Sequence, residues 1–385
     1  MQNLTVITTY PIYPPRGGGQ SRVYYLYKNL SQHFNITIIS LVHSSLKLSK
    51  KNIAQNLLEI QVPKSMTHQN KEEEIKKQTN IAITDIALIS LFEYTQEYIE
   101  QIVHYATNSK YIISTSPYTY PLIKKYITIP YIYESQNVEY LLKQQMLEST
   151  PYNNTLLQSL YDIEKECYIN SYITTVCSKQ DTIDFQNLYG KKESQLPYIP
   201  NGVDLDTVHY YAKNKKNHFK SISKYKDQTL VLFIASNHKP NIDAVYEILK
   251  LAQTTLDITY IIVGNVYNSF TSMKNTPSNV IFKGEVNDEA KNHYLAISDV
   301  AINPMLSGSG TNLKMLDFIA SGIPTISTKV GARGLELLSS MYIESNIDEF
   351  SIYLKNTHYY IDTQSAKEFV RANYDWKSIA QNFKH

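Results

Sequence analysis

Cysteine is nearly absent: Cys167 and Cys177 are the only two in 385 residues. Two thiols without Cys-x-x-Cys spacing exclude both a disulfide framework and a zinc-binding module. The ten histidines are scattered, with no pair at ligand spacing on one face, so no structural or catalytic metal is expected. Long hydrophobic runs are missing, and no window approaches the roughly 18 apolar residues that a membrane-spanning helix needs. The stretch Met1–Ile7 lacks a basic region followed by an apolar run. No secretory leader is therefore expected, and the cytoplasm is the expected location. Excess charge is lacking too: the formal net charge is +2, with no arginine-rich stripe, which argues against a dedicated nucleic-acid binder. Tryptophan occurs once and phenylalanine 11 times, against 33 tyrosines, a bias that fits the codon usage of an AT-rich genome. What remains is a globular composition, 43% hydrophobic and 19% charged, in a chain long enough for two cores.

Short apolar runs alternate with longer helical patterns from end to end, the signature of α/β architecture with parallel sheets. Strands are expected near 4–9, 36–41, 111–114, 131–134 and 173–177, then near 230–235, 258–264, 280–283, 300–303 and 325–327. Between the two sets, Tyr198-Ile199-Pro200-Asn201-Gly202-Val203-Asp204 is punctuated by Pro200 and Gly202, which marks a hinge. Lys71–Lys77 mixes signs at helical spacing and reads as a solvated helix face. Lysines 213, 215, 216, 220, 224 and 226 are interleaved with tyrosines; a solvated stretch is the preferred reading over contact with an anionic membrane surface.

The densest chemistry lies in Leu306-Ser307-Gly308-Ser309-Gly310-Thr311-Asn312-Leu313-Lys314-Met315-Leu316-Asp317, between two apolar runs. Gly308 and Gly310 allow close backbone approach to a ligand, and a helix starting near Thr311 turns its positive end to the same place. Lys314 and Asp317, three apart, share a helix face. A loop of amides, a cation and a carboxylate one turn deeper form a grip for a nucleoside diphosphate, the carboxylate accepting from ribose hydroxyls.

This stretch, continued by Phe318-Ile319-Ala320-Ser321-Gly322-Ile323-Pro324, resembles the donor-binding motif of the group 1 (family 4 type) retaining glycosyltransferases. That motif has two acidic residues separated by seven others. Asp317 takes the second place, with Ala320, Gly322 and Pro324 following in order, while Ser309 stands at the first. The departure resembles a subgroup with Gly-x-Gly-Thr-x-x-Lys, in which the lysine holds the diphosphate. The hinge string Pro200–Asp204 and the end Tyr374–Ile379 resemble the same family's interdomain junction and last helix. The resemblance implies the GT-B fold, two Rossmann-like domains with parallel sheets facing across a cleft. It places the acceptor-side domain at 1–202, the nucleotide-sugar domain at 203–368, and a returning helix at 369–385.

Further candidates follow. After the first strand, Pro14-Pro15-Arg16-Gly17-Gly18-Gly19-Gln20-Ser21-Arg22 offers consecutive glycines at the ligand end of a doubly wound sheet. Ser21 is expected to cap a helix over 23–30, with Gly18, Gly19 and Arg22 at the ligand. In Tyr133-Glu134-Ser135-Gln136-Asn137-Val138-Glu139 the family's usual histidine is replaced by Gln136, which hydrogen-bonds but shuttles no proton. Glu139 would orient sugar or acceptor hydroxyls, or else simply favour a helix start. Ser236, with His238 or Lys239, and Gly264 are expected at the donor, and 283–286 beside the base. Asp204-Leu205-Asp206 imitates a metal-binding Asp-x-Asp but sits at the hinge, so it is read as coincidental.

The resemblance implies transfer of a sugar, with retention, from a nucleotide-diphosphate sugar to a glycan or lipid-linked acceptor. The expected context is cell-envelope polysaccharide synthesis, with no metal or other cofactor. An acceptor on a lipid carrier would bring the protein to the inner face of the membrane as a peripheral contact. Two alternatives stand beside it: a noncatalytic sugar-nucleotide-binding subunit, and a sugar-nucleotide epimerase.

Overall fold

The computed structural model describes residues 1–79, 85–192, 196–308, 310–355 and 362–383. Its contacts divide the chain into two compact units, Met1–Pro200 with the end from Ala380, and Asn201–Ile379. The sequence reading sets its divisions at 202 and 368; in the structure the segment 369–379 belongs to the second unit.

The first unit is built on β1 (Gln2–Thr8), β2 (Phe34–Val42), β3 (Ser49–Ala54), β4 (Leu57–Pro63), β5 (Tyr111–Ser114), β6 (Tyr131–Glu134) and β7 (Ile173–Thr175). The order across the sheet is β3-β4-β2-β1-β5-β6-β7. All pairings are parallel except β3 with β4. Strands covered on both faces read as near-continuous apolar runs, and β1 is fully buried from Leu4 to Thr8. The pair β3–β4 was not expected. β3 is polar and mostly exposed, with Lys50 and Lys51 on a sheet edge, where lysine discourages pairing with other chains. Within β4, Glu59 is buried and accepts from the backbone N–H of Ile12 at 2.6 Å and of Tyr13 at 3.2 Å. A carboxylate inside the sheet thereby fixes the loop that leaves β1.

Tyrosine hydroxyls run through this interior. Tyr133 and Tyr189 donate to Glu164 at 2.9 and 2.8 Å, Tyr118 to Glu139 at 2.5 Å, and Tyr27 to Glu134 at 3.4 Å. Glu164 also accepts from the N–H groups of Glu139 and Tyr140, both at 2.8 Å, so it caps the start of the helix Glu139–Met146 from outside. Burial holds the Glu164 carboxyl up at about 7.

The second unit carries β8 (Thr229–Ile234), β9 (Ile258–Val263), β10 (Val280–Gly284), β11 (Val300–Asn303), β12 (Thr325–Ser327) and β13 (Ile343–Glu344). The order is β10-β9-β8-β11-β12-β13, parallel throughout. Only β13 was not expected, being two residues long. In each unit the chain winds outward in both directions from a central strand pair: β1 lies between β2 and β5, and β8 between β9 and β11. Such reversals open a crevice at the carboxyl ends of the strands, where doubly wound sheets take their ligands. The lysine-rich segment forms the helix Lys213–Ser221, and two of its cations are used in packing. Lys216 donates to the carbonyl of Leu295 at 2.5 Å, and Lys220 pairs with Asp299. Among the described residues no helix is long and apolar enough to cross a membrane.

Candidate donor and acceptor sites

In the second unit the reversal point gathers two loops. The first leaves β8 through Ala235-Ser236-Asn237-His238 and enters the helix Lys239–Thr254. Asn241, in its first turn, donates to the Ser236 carbonyl at 2.9 Å and to its hydroxyl at 3.2 Å. The second loop leaves β11 and enters the helix Leu313–Ser321, with Asn312 as its N-cap. Lys314 reaches from this helix to the first loop. Its Nζ donates to Asn241 Oδ1 at 2.7 Å and lies 4.5 Å from the centre of the Phe233 ring. Among the described residues no carboxylate pairs with it. Burial beside an aromatic ring, with nothing anionic to offset it, pushes the Lys314 ammonium down to about 7. The neighbouring His238 is pushed down as well, first by burial and then by Lys314.

The glycine loop is held from behind. Gly308 and Gly310 have φ of +128° and +66°, conformations that favour glycine. Arg333 donates to the Gly310 carbonyl through Nε at 3.2 Å and Nη2 at 3.0 Å, and to the Gly308 carbonyl through Nη1. Asn303 and Asn312 each donate to the Gly331 carbonyl at 2.9 Å, and Thr328 Oγ1 donates to Met305 O at 2.5 Å. The chain after β12 is thus a clamp under the loop after β11. Sequence reasoning did not single out Arg333; its only signal is the flanking pair Gly331 and Gly334. A Cβ at Gly331 would come within 2.4 Å of Ser327 Oγ, and one at Gly334 within 2.6 Å of Thr311 Oγ1. Arg333→Ala should release the loop, the loss of charge-assisted hydrogen bonds of about 1.5–3 kcal/mol being partly offset by relaxation. Faster amide hydrogen exchange at Gly308 and Gly310 at unchanged global stability checks this, and unchanged exchange refutes the clamp.

The remaining donor-side candidates are dispersed around this centre. Ser236 and Thr311 line the two loops, and Gly264 ends β9 with φ +116°. A Cβ on Gly264 would stand 2.0 Å from the Ala235 carbonyl oxygen, so glycine is needed there for the strands to approach. Asp317 is half-buried and has a partner in Lys291 at 3.4 Å, whose ammonium it holds up. Lys239 projects outward and pairs with Asp243 at 2.5 Å. Ser309 lies outside the described residues. Asp204 Oδ1 accepts from the N–H of Asp206 at 3.2 Å and Asp206 pairs with Lys377 at 2.7 Å, a turn tied to the chain end. Among the described residues no three His, Cys, Asp or Glu side chains converge as metal ligands.

In the first unit the expected helix start is corrected. Helix Gly18–Leu30 has Gly17 as its N-cap, and Gln20 Oε1 accepts from the N–H groups of Arg16 and Gly17, both at 3.0 Å. Gln20 supplies the capping that Ser21 was expected to supply; Ser21 is in the first turn, its N–H on the Gly17 carbonyl at 2.9 Å. Gly18 is thereby a helical residue. At Gly19 a Cβ would come within 2.6 Å of Tyr10 Oη and 2.7 Å of Gln136 Oε1, so this glycine permits a close approach. Arg22, expected at a ligand, is instead 1% exposed. Its Nε donates to Glu134 Oε1 at 2.6 Å, and Nη1 donates to the carbonyls of Ile199 at 3.0 Å and Pro200 at 3.1 Å. Burial, the Glu134 carboxylate and two backbone carbonyls give this arginine a structural setting.

Beside Gly19 lies a cavity of about 300 Å³ whose wall includes Gln136 and Glu139. Tyr10 donates to Gln136 Oε1 at 3.2 Å. Glu139 accepts from Tyr118 and, at 3.2 Å, from Asn137 Nδ2. Burial raises the Glu139 carboxyl above its ordinary value, against the opposing pull of Lys143. Gln136 and Glu139 are thus brought together at one cavity. Lys314 stands in the other unit.

Two doubly wound parallel sheets, each with its loops at the reversal point, define the GT-B class of fold. Solved structures of low identity share it over the whole chain. Sucrose-phosphate synthase from Thermosynechococcus elongatus superposes with a TM-score of 0.75 at 14% identity, covering 100% of this chain and 98% of that one. HepE from Anabaena, in complex with UDP and glucose, gives 0.68 at 13% identity, with 100% and 98% covered. WaaG, a glycosyltransferase involved in lipopolysaccharide biosynthesis, gives 0.61 at 14% identity, with 99% and 94% covered. Residues 228–351 match the family model described as glycosyl transferases group 1, the segment that holds β8 to β13 and the Lys314 loop. The resemblance read from the motif is therefore supported over that segment by sequence and over the chain by fold. No curated protein sequence matches the chain.

Proposed function

We propose that the chain is a glycosyltransferase that moves a sugar from a nucleotide-diphosphate sugar to a glycan or lipid-linked acceptor, with retention and without a metal. The observation that carries this reading is Lys314: a desolvated cation at the start of a helix, behind a glycine loop, with no carboxylate partner among the described residues. A diphosphate is the ligand that such a group lacks. Gly308, Gly310, Thr311 and Asn312 would line the loop, and Ser236 and Gly264 its neighbours, while Asp317 would exchange Lys291 for ribose hydroxyls. The leaving phosphate would take the acceptor proton on the same face, as the family resemblance implies. An acceptor of the cell envelope, and a peripheral membrane contact through it, follow from that resemblance alone. Gln136 in place of a histidine favours, as a second reading, a binding subunit without turnover.

Calorimetry with UDP, GDP, ADP and dTDP in EDTA tests the donor site. One nucleotide binding tightly, and weakened in Lys314→Ala, is the expected result; no binding by any of them would remove the reading. Bound nucleotide without release of sugar to any acceptor would favour the subunit reading.

Protonation supplies a second test. At pH 8 a lysine poised near 7 is mostly neutral in the empty site, and a diphosphate beside it raises its affinity for a proton. Nucleotide binding at pH 8 should therefore take up close to one proton, while little uptake occurs below pH 6. Calorimetry in two buffers of different ionisation enthalpy measures this, and equal uptake in Lys314→Ala would contradict it.

A further inference from the structure

The first unit's cavity has a lining whose charge is one-sided. Tyr10, Ser116, Tyr118, Gln136, Asp85 and Glu139 are among its walls, and among the described residues no lysine, arginine or histidine lines it. Beside it, Lys143 is paired with Asp85 at 2.9 Å and lies 5.8 Å from the centre of the Tyr118 ring. Two carboxyls, Asp85 and Glu139, thus share this one ammonium. Two further polar atoms on lining residues, Gln136 Nε2 and Ser116 Oγ, are buried without a hydrogen-bond partner. Gly19 keeps the floor open where a methyl group would strike Tyr10 and Gln136.

We propose that this cavity receives an uncharged, hydroxyl-rich ring of the acceptor and rejects acceptors that carry phosphate or carboxylate at that ring. The proposal rests on the transferase reading and deepens it by naming the class of acceptor. Sugar hydroxyls both donate and accept. Carboxylates that only accept, an amide and a serine hydroxyl that do both, and two tyrosines that add ring faces make a complementary wall. At about 300 Å³ the space is at the small end of ligand cavities, roughly 300–1,000 Å³, and suits a group of monosaccharide size. An anionic substituent would meet Asp85 and Glu139 with no free cation to pair with. Like charges a few ångströms apart in partly buried surroundings weaken binding by roughly tenfold or more.

The test uses the full chain and ligand-observed NMR titration. The probes are methyl α-glucoside, methyl α-galactoside and N-acetylglucosamine, each against its 6-phosphate, and the first two also against their uronates. At least one neutral sugar should bind, with its charged counterpart roughly tenfold weaker or more. Asp85→Asn should narrow that gap several-fold, and Gly19→Ala should remove neutral-sugar binding at an unchanged melting temperature. Binding of a charged counterpart as tightly as its neutral form overturns the proposal. So does failure of every neutral sugar to bind, or a gap untouched in Asp85→Asn. If the wild type still binds a nucleoside diphosphate in calorimetry, such a result sinks this proposal alone. Loss of nucleotide binding as well sinks the transferase reading beneath it.

Discussion

Lys314→Ala is expected to lower turnover by roughly 10²–10³, the usual cost of removing one preorganised group that stabilises developing charge. The expectation comes from where the ammonium sits. It contacts Asn241 and the face of Phe233, a setting that keeps water away and makes the field of one cation count for more than at an exposed site. The fold, in contrast, should not suffer. A lysine pushed down to about 7 binds its proton less tightly in the folded than in the unfolded chain. The unfolded state then holds more protons between pH 7 and the ordinary lysine value, so stability rises with pH across that window. Lys314→Ala should thus melt no lower than wild type at pH 7, and should lose the pH-dependent gain. Turnover within a few-fold of wild type would remove Lys314 from the chemistry. A collapse in melting temperature would recast it as structural.

Removing Glu134 should destabilise the first unit by about 3–5 kcal/mol, because it strands the Arg22 guanidinium in the interior. Both side chains are within 1% of complete burial, and they meet at 2.6 Å. Burial raises the Glu134 carboxyl, while Arg22 and Tyr27 pull it back down. The remaining Arg22 partners include the carbonyls of Ile199 and Pro200, which cannot neutralise a charge. Glu134→Leu with Arg22→Met should recover much of the loss, since a buried ion pair replaced by apolar groups of similar size is often tolerated. Urea unfolding followed by hydrogen exchange at β6 and β7 reads the effect. A single variant as stable as wild type would mean that water reaches the guanidinium.

The sheets were largely legible. Buried parallel strands announce themselves as apolar runs, and the expected segments lie within a residue or two of β1, β2, β5 to β12. Three strands escaped: β4 is buried and parallel to β2, but Glu59 and Gln61 interrupt its apolar run. β3 is an edge strand whose lysines serve to remain unpaired, so it reads as a loop, and β13 is too short to show a period. Among the candidate site residues, local signals grouped Gly308, Gly310 and Lys314 because they belong to one short stretch. They failed where the partner lies far along the chain. Nothing near Arg22 says that Glu134, 112 residues away, will engage it, nor does anything near Gly308 point to Arg333. Ser21 misled because a serine ahead of an apolar run is a good cap, yet Gln20 and Gly17 complete the cap one turn earlier.

The tyrosines in the first unit change what its interior can dissolve. Hydroxyls from Tyr27, Tyr118, Tyr133 and Tyr189 surround Glu134, Glu139 and Glu164 much as an alcohol surrounds a salt. An interior of phenylalanines at the same positions would fill the same space but would leave these carboxyl oxygens without four of their donors. The composition bias that looked like a genomic accident supplies, at these four positions, hydroxyls to three buried carboxyls, one of them beside the cavity of the first unit.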